Sequence, residues 1–406
     1  MVRSLFQWFK PLCYALVFLA LLACLLEIGL RVYDSATGQI TRRDVMDQGL
    51  TAKSWFVHHS LKPARIFQVL NPDTKKRVRV AVNSRGMRGK EPAVPKPDDT
   101  YRVLCLGDEA TLASYIAEAD TFCARLEPLL RDAWGDSVET LNAGVPGYCP
   151  LLSLLQVRHQ LLALEPDLVI LSFDMSDVAD DYALRRLAQK DQLGAAVSCT
   201  HPALEAAGGG KATRLANAFL LPTWLRQKAD GYLAARALSA VSKSIESERC
   251  RYLWLEDDAP DWSAYIDHAL EPIEQLANLL AARGARLVVT VAPAPWQVSA
   301  KASNGPGVRE AAGVGRKVRF RSEKPFATVA RFCHDRRIPV LNLLGAFLAE
   351  AAPEELYLTN APQLSAQGHA LFARELGRFL VEEWAPGAGG NESPEAEGVR
   401  QAHLPP

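Results

Sequence analysis

The chain predicts an α/β protein: a parallel sheet of about five strands between layers of helices, preceded by one N-terminal transmembrane helix. Three observations carry this. Short, wholly apolar runs end in glycine or polar turn residues, as buried parallel strands do. Amphipathic stretches at helical spacing lie between them. One long apolar run stands apart near the N-terminus. The composition agrees, with 49% hydrophobic and 23% charged residues in 406, which excludes a disordered chain. The 46 basic and 46 acidic residues cancel, so no phosphate-attracting field exists and no nucleic-acid partner is expected. The eight cysteines are too few for a disulfide scaffold. They form no CxxC pair or zinc-type spacing, and neither a metal nor a cofactor is expected.

Residues 11–30 (PLCYALVFLALLACLLEIGL) contain Glu27 as their only charge and are long enough to cross a hydrocarbon core. Arg3 and Lys10 precede them, which predicts a cytoplasmic segment 1–10 and a signal-anchor that leaves the main domain extracytoplasmic, periplasmic or cell-surface. A cleaved segment lipidated at Cys24 is the rival reading. A linker and small β-rich lead-in occupy 31–98. Within it Lys75 to Val80 (KKRVRV) reads as a solvated edge strand, with attraction to an anionic membrane surface as the second reading. Residues 386–406, rich in Gly, Pro and Glu, are expected to be disordered.

The main domain is expected over 99–385. Its strands are Arg102–Leu106, Val138–Leu141, Leu168–Phe173, Arg286–Val291 and Ile338–Leu343. Helices are expected over Thr121–Ala133, Leu151–Leu164, Ile273–Ala282, Phe326–His334 and Ser365–Trp384. Residues 190–261 break the alternation and read as an insertion or lid. Cys199 and Cys250 near its ends are a candidate disulfide that an extracytoplasmic compartment would permit, with two independent thiols as the equal alternative.

The strand ends carry the chemical signal, because ligands in such sheets bind there. Strand one ends in Leu106-Gly107-Asp108-Glu109-Ala110-Thr111 and strand two in Asn142-Ala-Gly-Val-Pro-Gly147-Tyr148. Strand three ends in Asp174-Met175-Ser176-Asp177, and Asn360-Ala-Pro-Gln363 stands before the last helix. In this order the segments resemble the blocks of the SGNH (GDSL-type) hydrolase superfamily. Asn83-Ser-Arg-Gly-Met-Arg88-Gly ahead of them resembles its membrane-anchored bacterial members. The resemblance covers roughly 78–384 and implies a three-layer, flavodoxin-like α/β/α fold.

It also implies a catalytic set that this chain has replaced. Glu109 stands at the nucleophilic Ser position, Ser176 at the oxyanion Asn, and Asn360 and Gln363 at the Asp-x-x-His pair. Only the oxyanion-loop glycine, Gly147, matches. Gln363 cannot take a proton from a nucleophile, and a carboxylate at 109 opposes a developing oxyanion. Asp108 is expected to cap its turn, with Asp108, Thr111 and Asp177 lining the pocket. Asp174, Asp177, Asp180 and Asp181 more simply complement a helix dipole than hold a cation. Ser114 and Cys149 lack a base, and His369 is expected to cap or pack at the last helix. The expected function is therefore a non-catalytic SGNH-type protein that keeps a pocket for a glycan, an acyl ester or a protein partner. It also contacts membrane lipid through its N-terminal helix. An ester hydrolase with relocated catalytic residues is the alternative.

Overall fold

The computed structural model describes residues 2–37, 49–135, 137–204, 220–221, 224–225 and 251–383. Cys250, most of the expected insertion and the expected disordered tail lie outside these residues. The chain divides into two compact units, 1–48 with 202–239, and 49–201 with 240–406.

The first unit is built on helix α1 (Val2–Thr37). Its segment Cys13–Tyr33 has a mean hydropathy of 2.4 and is long and apolar enough to cross a membrane, a test that a signal sequence also passes. Glu27, the lone acid in that segment, is satisfied within the unit. Its carboxylate accepts the backbone N–H groups of Leu220 and Leu221 at 2.9 and 2.8 Å and pairs with Arg31 at 2.9 Å.

The second unit opens with two small antiparallel sheets, β1 (Thr51–Lys53) with β2 (His59–Leu61), and β3 (Arg65–Leu70) with β4 (Arg77–Val82). The α/β alternation follows: β5 (Tyr101–Leu106), a one-turn helix α2 (Glu109–Leu112), α3 (Phe122–Trp134), β6 (Val138–Asn142), α4 (Pro150–Gln156) and β7 (Leu168–Phe173). After α5 (Asp177–Arg185) comes the antiparallel pair β8 (Ala188–Lys190) and β9 (Ala196–Cys199). The chain closes with α6 (Ser263–Ala281), β10 (Arg286–Val291), short helices α7 (Pro295–Val298) and α8 (Val308–Ala311), α9 (Lys324–Asp335), β11 (Val340–Asn342), α10 (Leu344–Ala349) and α11 (Ala366–Glu383).

The five central strands are all parallel, in the order β11-β10-β7-β5-β6. Numbered along the chain this is 2-1-3-4-5, the flavodoxin-like order, as the sequence predicts. Alternation along the strands sends Val103 and Cys105 of β5 to one face and Leu104 and Leu106 to the other. The first face buries Phe122, Leu126 and Leu130 of α3 with Leu376 and Leu380 of α11. The second buries Leu151, Leu152 and Leu155 of α4, Ile273, Leu276 and Leu280 of α6, and Phe326 and Val329 of α9.

Two helices depart from expectation. The helix expected over Leu151–Leu164 is α-helical only to Gln156, then continues as a π turn (Val157–Leu161) and a 3-10 turn (Leu162–Leu164). The helix expected from Ile273 starts ten residues earlier, at Ser263. Pro272 hides that start, yet the turn it interrupts is held by the buried Ala269 and Leu270.

Candidate binding site at the strand ends

The sheet order reverses between β5 and β7, and in sheets of this order ligands bind in the crevice outside the carboxyl ends of the strands at that point. The turn after β5 is built before any chemistry is placed on it. Gly107 takes φ +149°, and a side chain there would meet the Thr111 hydroxyl. Asp108 caps α2, its Oδ1 accepting the Ala110 N–H at 2.8 Å. The far end of the turn reverses at Ala113 (φ +56°), where Arg88 clamps it. The Arg88 guanidinium is buried and donates to the carbonyls of Leu112, Ala113 and Ile116 at 2.6, 2.6 and 2.8 Å. Burial lowers its pKa to about 10, so it stays a cation there. Asn142, at the end of β6, adds a bond from its Nδ2 to the Thr111 carbonyl at 2.8 Å. The 83–88 segment thus supports the turn that bears Glu109.

Glu109 is half-buried, and its Oε2 accepts the Gly147 N–H at 2.9 Å. Gly147 has φ +70°, a conformation glycine adopts without strain. The same peptide is held from behind. His59 Nε2 lies 2.7 Å from the Pro146 carbonyl oxygen and must donate to it, since a carbonyl only accepts. In the neutral ring Nδ1 is then the acceptor, and His58 Nδ1–H donates to it at 2.8 Å. Burial, with the neighbouring His59 and His201 rings, pushes the His58 pKa down to about 3, so it stays neutral. The Tyr148 hydroxyl donates to the His59 carbonyl at 2.7 Å. A hydrogen-bonded chain therefore runs from His58 through His59 and one peptide to Glu109.

Across the crevice, α5 presents a dense set of acids. Asp174 Oδ1 accepts the Ser176 N–H at 2.7 Å, and Asp177 Oδ2 accepts the Asp174 N–H at 3.1 Å. Burial first, then the charges of Glu109, Asp174 and Asp177, hold the Asp108 carboxyl well above its ordinary range. Asp174 is raised by burial and Glu109 against its bonds from Ser176. Burial, then Asp174 and Asp180, raise Asp177 well above the usual range. Burial pushes Asp180 to about 6 and Asp181 to about 7, against their arginine partners Arg251 and Arg185. The Cys149 thiol is raised by burial, then by Asp181 and Asp177, and is not a nucleophile. Among the described residues no group of three His, Cys, Asp or Glu side chains is arranged to hold a metal ion.

Arg88 of the 83–89 segment and three residues that sequence reasoning did not single out complete the site. Arg251 reaches Asp180 with its guanidinium and is anchored by its neighbour Trp254, whose indole N–H donates to the Met175 carbonyl at 2.9 Å. An arginine directly before a buried aromatic run (Tyr252, Trp254) was the available signal. Arg88 and His59 act on backbone carbonyls, which no spacing rule marks. Asp73, in the β3–β4 turn, accepts the Thr359 N–H at 2.7 Å and the Asn360 N–H and Nδ2 at 2.7 and 2.8 Å.

The remaining expected site residues are not brought to Glu109. Asn360 is committed to Asp73, and the Gln363 Oε1 is buried without a hydrogen-bond partner. Ser176 is buried, and among the described residues neither its hydroxyl nor the Gln363 amide hydrogen-bonds Glu109. Thr111 Oγ1 donates back to the Leu106 carbonyl at 3.3 Å. His369 Nδ1 accepts the Phe122 N–H at 3.3 Å, so it caps α3 rather than its own helix. The buried Cys199 thiol donates to the Leu184 carbonyl at 3.7 Å, and Cys250, the other half of the candidate pair, lies outside the described residues.

No model of a known protein family and no curated protein matches the chain. Among solved structures it is similar to a lipase/acylhydrolase from Enterococcus faecalis at 12% identity, covering 70% of this chain and 96% of that one, TM-score 0.37. An acetylxylan esterase from Geobacillus stearothermophilus is similar at 12% identity over 71% and 97%, TM-score 0.38. A GDSL-like lipase from Bacteroides thetaiotaomicron follows at 13% over 71% and 91%, TM-score 0.34. The fold rests on the strand order, not on these similarities.

Proposed function

We propose that the chain is a membrane-anchored, extracytoplasmic SGNH-type protein that binds at its strand-end crevice without hydrolysing esters. The observation that carries this is the 2.9 Å bond from the Gly147 N–H to Glu109. In the resemblance drawn from the sequence, that amide belongs to an oxyanion hole, and the carboxylate is an anion already in place. Ester cleavage also needs a hydroxyl and a base. Asn360 is held by Asp73, and Gln363 accepts no proton at neutral pH. Ring nitrogens of His59, His159 and His369 bond the Pro146 and Val197 carbonyls and the Phe122 N–H. The crevice is instead suited to a neutral, hydroxyl-rich or acyl ligand, because Glu109 and the acids after β7 accept hydrogen bonds and repel a second anion. A glycan, an acyl group or a protein loop meets that description. The anchor reading is supported by α1 and the basic residues that precede its apolar segment. The test is an assay of the purified chain on short-chain acyl and acetylated-sugar esters, with an active SGNH esterase as control. No turnover above background is expected. Robust hydrolysis that vanishes in Glu109→Gln overturns the reading.

A further inference from the structure

We propose that the outer face of the β3–β4 hairpin is a second membrane contact, which docks on anionic phospholipid headgroups. This rests on the reading that α1 spans a membrane, and adds to it a site on the other unit.

The alternation of the hairpin separates two faces. Val69, Val80 and Val82 point inward and are at most 4% exposed. On the opposite face Ile66 and Leu70 are 59% and 52% exposed. Their cross-strand partners are Ala81 and Arg77, and Gln68 between them faces Arg79. Lys75 and Lys76 at the turn join Arg77 and Arg79 of that face, and Arg65, which alternation places on the Val82 side, brings the cations of the hairpin to five, against one acid, Asp73. Asp73 is occupied by Thr359 and Asn360, and among the described residues none of the five cations forms an ion pair.

A solvated edge strand explains lysines and arginines, which keep strands from pairing. It does not explain Ile66 and Leu70 standing among them on the exposed face. Cations around exposed apolar side chains are what an interfacial element presents: the charges meet phosphates and the apolar groups enter the headgroup layer. The position in the chain selects a lipid over a soluble polyanion. Only 13 residues separate Thr37 of α1 from Thr51 of β1, a reach of at most about 45 Å. The hairpin follows in the same unit as β1, with 27 residues between Thr37 and Arg65, so a spanning α1 would keep it within chain reach of the headgroups and raise its effective concentration there. Because Asp73 also holds Asn360, docking would fix the 359–363 loop relative to the membrane surface.

The test uses the full chain in lipid nanodiscs of phosphatidylcholine alone, or with about one third phosphatidylglycerol. A dicarbonyl reagent modifies exposed arginines, and mass spectrometry reads the rate at each. Arg77 and Arg79 should react about tenfold more slowly in the anionic discs, with exposed Arg283 unchanged. Ile66→Ser with Leu70→Ser, both on the exposed face, should remove most of that protection. Equal rates in the two discs overturn the docking. Protection that survives the serine pair, or that comes from soluble dextran sulfate but not from phosphatidylglycerol, overturns the lipid assignment. A chain that does not co-elute with the discs overturns the spanning reading, and is seen before any arginine is measured.

Discussion

Glu109 and Gly147 are joined by a hydrogen bond of 2.9 Å, carboxylate oxygen to backbone amide, which ties the turn after β5 to the loop after β6. A charge-assisted bond of this kind contributes roughly 1.5–3 kcal/mol. An ester carbonyl seeking the same amide would have to displace it and then place its own developing charge beside a fixed one. The carboxylate therefore opposes both binding and the transition state.

Glu109→Ser should leave the protein without esterase activity, because the substitution supplies a hydroxyl and no base. A p-nitrophenyl acetate assay reads this directly. Turnover within about tenfold of an active SGNH esterase would show that a base exists elsewhere.

Rebuilding the base meets an obstacle at Asn360. Asn360→Asp would place a second carboxylate against Asp73, whose Oδ1 now accepts from Asn360 Nδ2 at 2.8 Å. The variant should lose about 1–3 kcal/mol, and Asp73→Asn should recover it in a double-mutant cycle. Additive losses in denaturant titrations would show that the pair does not interact.

His59→Phe keeps a ring against Tyr148, which it meets edge-on at 5.2 Å, but removes the donor to the Pro146 carbonyl. An unsatisfied buried carbonyl costs about 1–3 kcal/mol. The Gly147 amide, on the same peptide, should then exchange about tenfold faster with solvent. Unchanged exchange would mean that the loop is held by other contacts.

These effects mark where the sequence is legible. The boundaries of β7 and β10 match the expected strands residue for residue, because strands buried on both faces read as near-continuous apolar runs, here broken only by the small buried Ser172 and Thr290 and opened by Arg286. Glu109, Gly147 and the acids of α5 were found because strand ends are punctuated by turn residues. The partner of Asn360 was not readable. Asp73 lies 287 residues from Asn360, and the contact is made by a hairpin whose docking no local pattern encodes. The same holds for His59, whose target is a carbonyl 87 residues away.

Gly144→Ala should be strongly destabilising although Gly144 has ordinary dihedrals. A Cβ there would stand 2.4 Å from the Leu112 N and 2.8 Å from the Thr111 carbonyl carbon, both backbone atoms of the Glu109 turn. Relief requires moving α2, so we expect a loss of about 2–4 kcal/mol in chemical denaturation. A loss below about 0.5 kcal/mol would show that the turn is free to shift.

The carboxyls set an unusual response to pH. Asp180 at about 6 and Asp181 at about 7 are raised from 3.8, so the folded state keeps protons that the unfolded chain has lost. Stability contributed this way rises as pH falls through 7 and 6. Below 6.5 it is opposed by His58 and His369, both lowered to about 3, which the unfolded chain protonates first. Thermal melting should therefore move up by a few degrees from pH 8 to 6.5 and flatten below. A melting temperature that falls steadily from pH 8 would contradict this.

Arg251→Met tests the same cluster from its cationic side. Asp180 is pulled down by Arg251 against burial, so removing the guanidinium raises its pKa above the present value of about 6. At pH 8 the variant must fold with an ionised, largely buried acid that has lost its partner, a loss of about 3 kcal/mol. At pH 5 that acid is protonated in the variant, and the loss should shrink to about 1 kcal/mol, the part due to packing and lost hydrogen bonds. The sign follows from the folded-state protonation: the variant binds its proton at higher pH than the wild type, so its stability recovers first as pH falls. Asp180→Asn in the Arg251→Met background should restore stability at pH 8 and abolish the difference between the two pH values. A loss equal at pH 8 and pH 5 would show that Arg251 acts through packing alone and that Asp180 draws its stabilisation from elsewhere in the crevice.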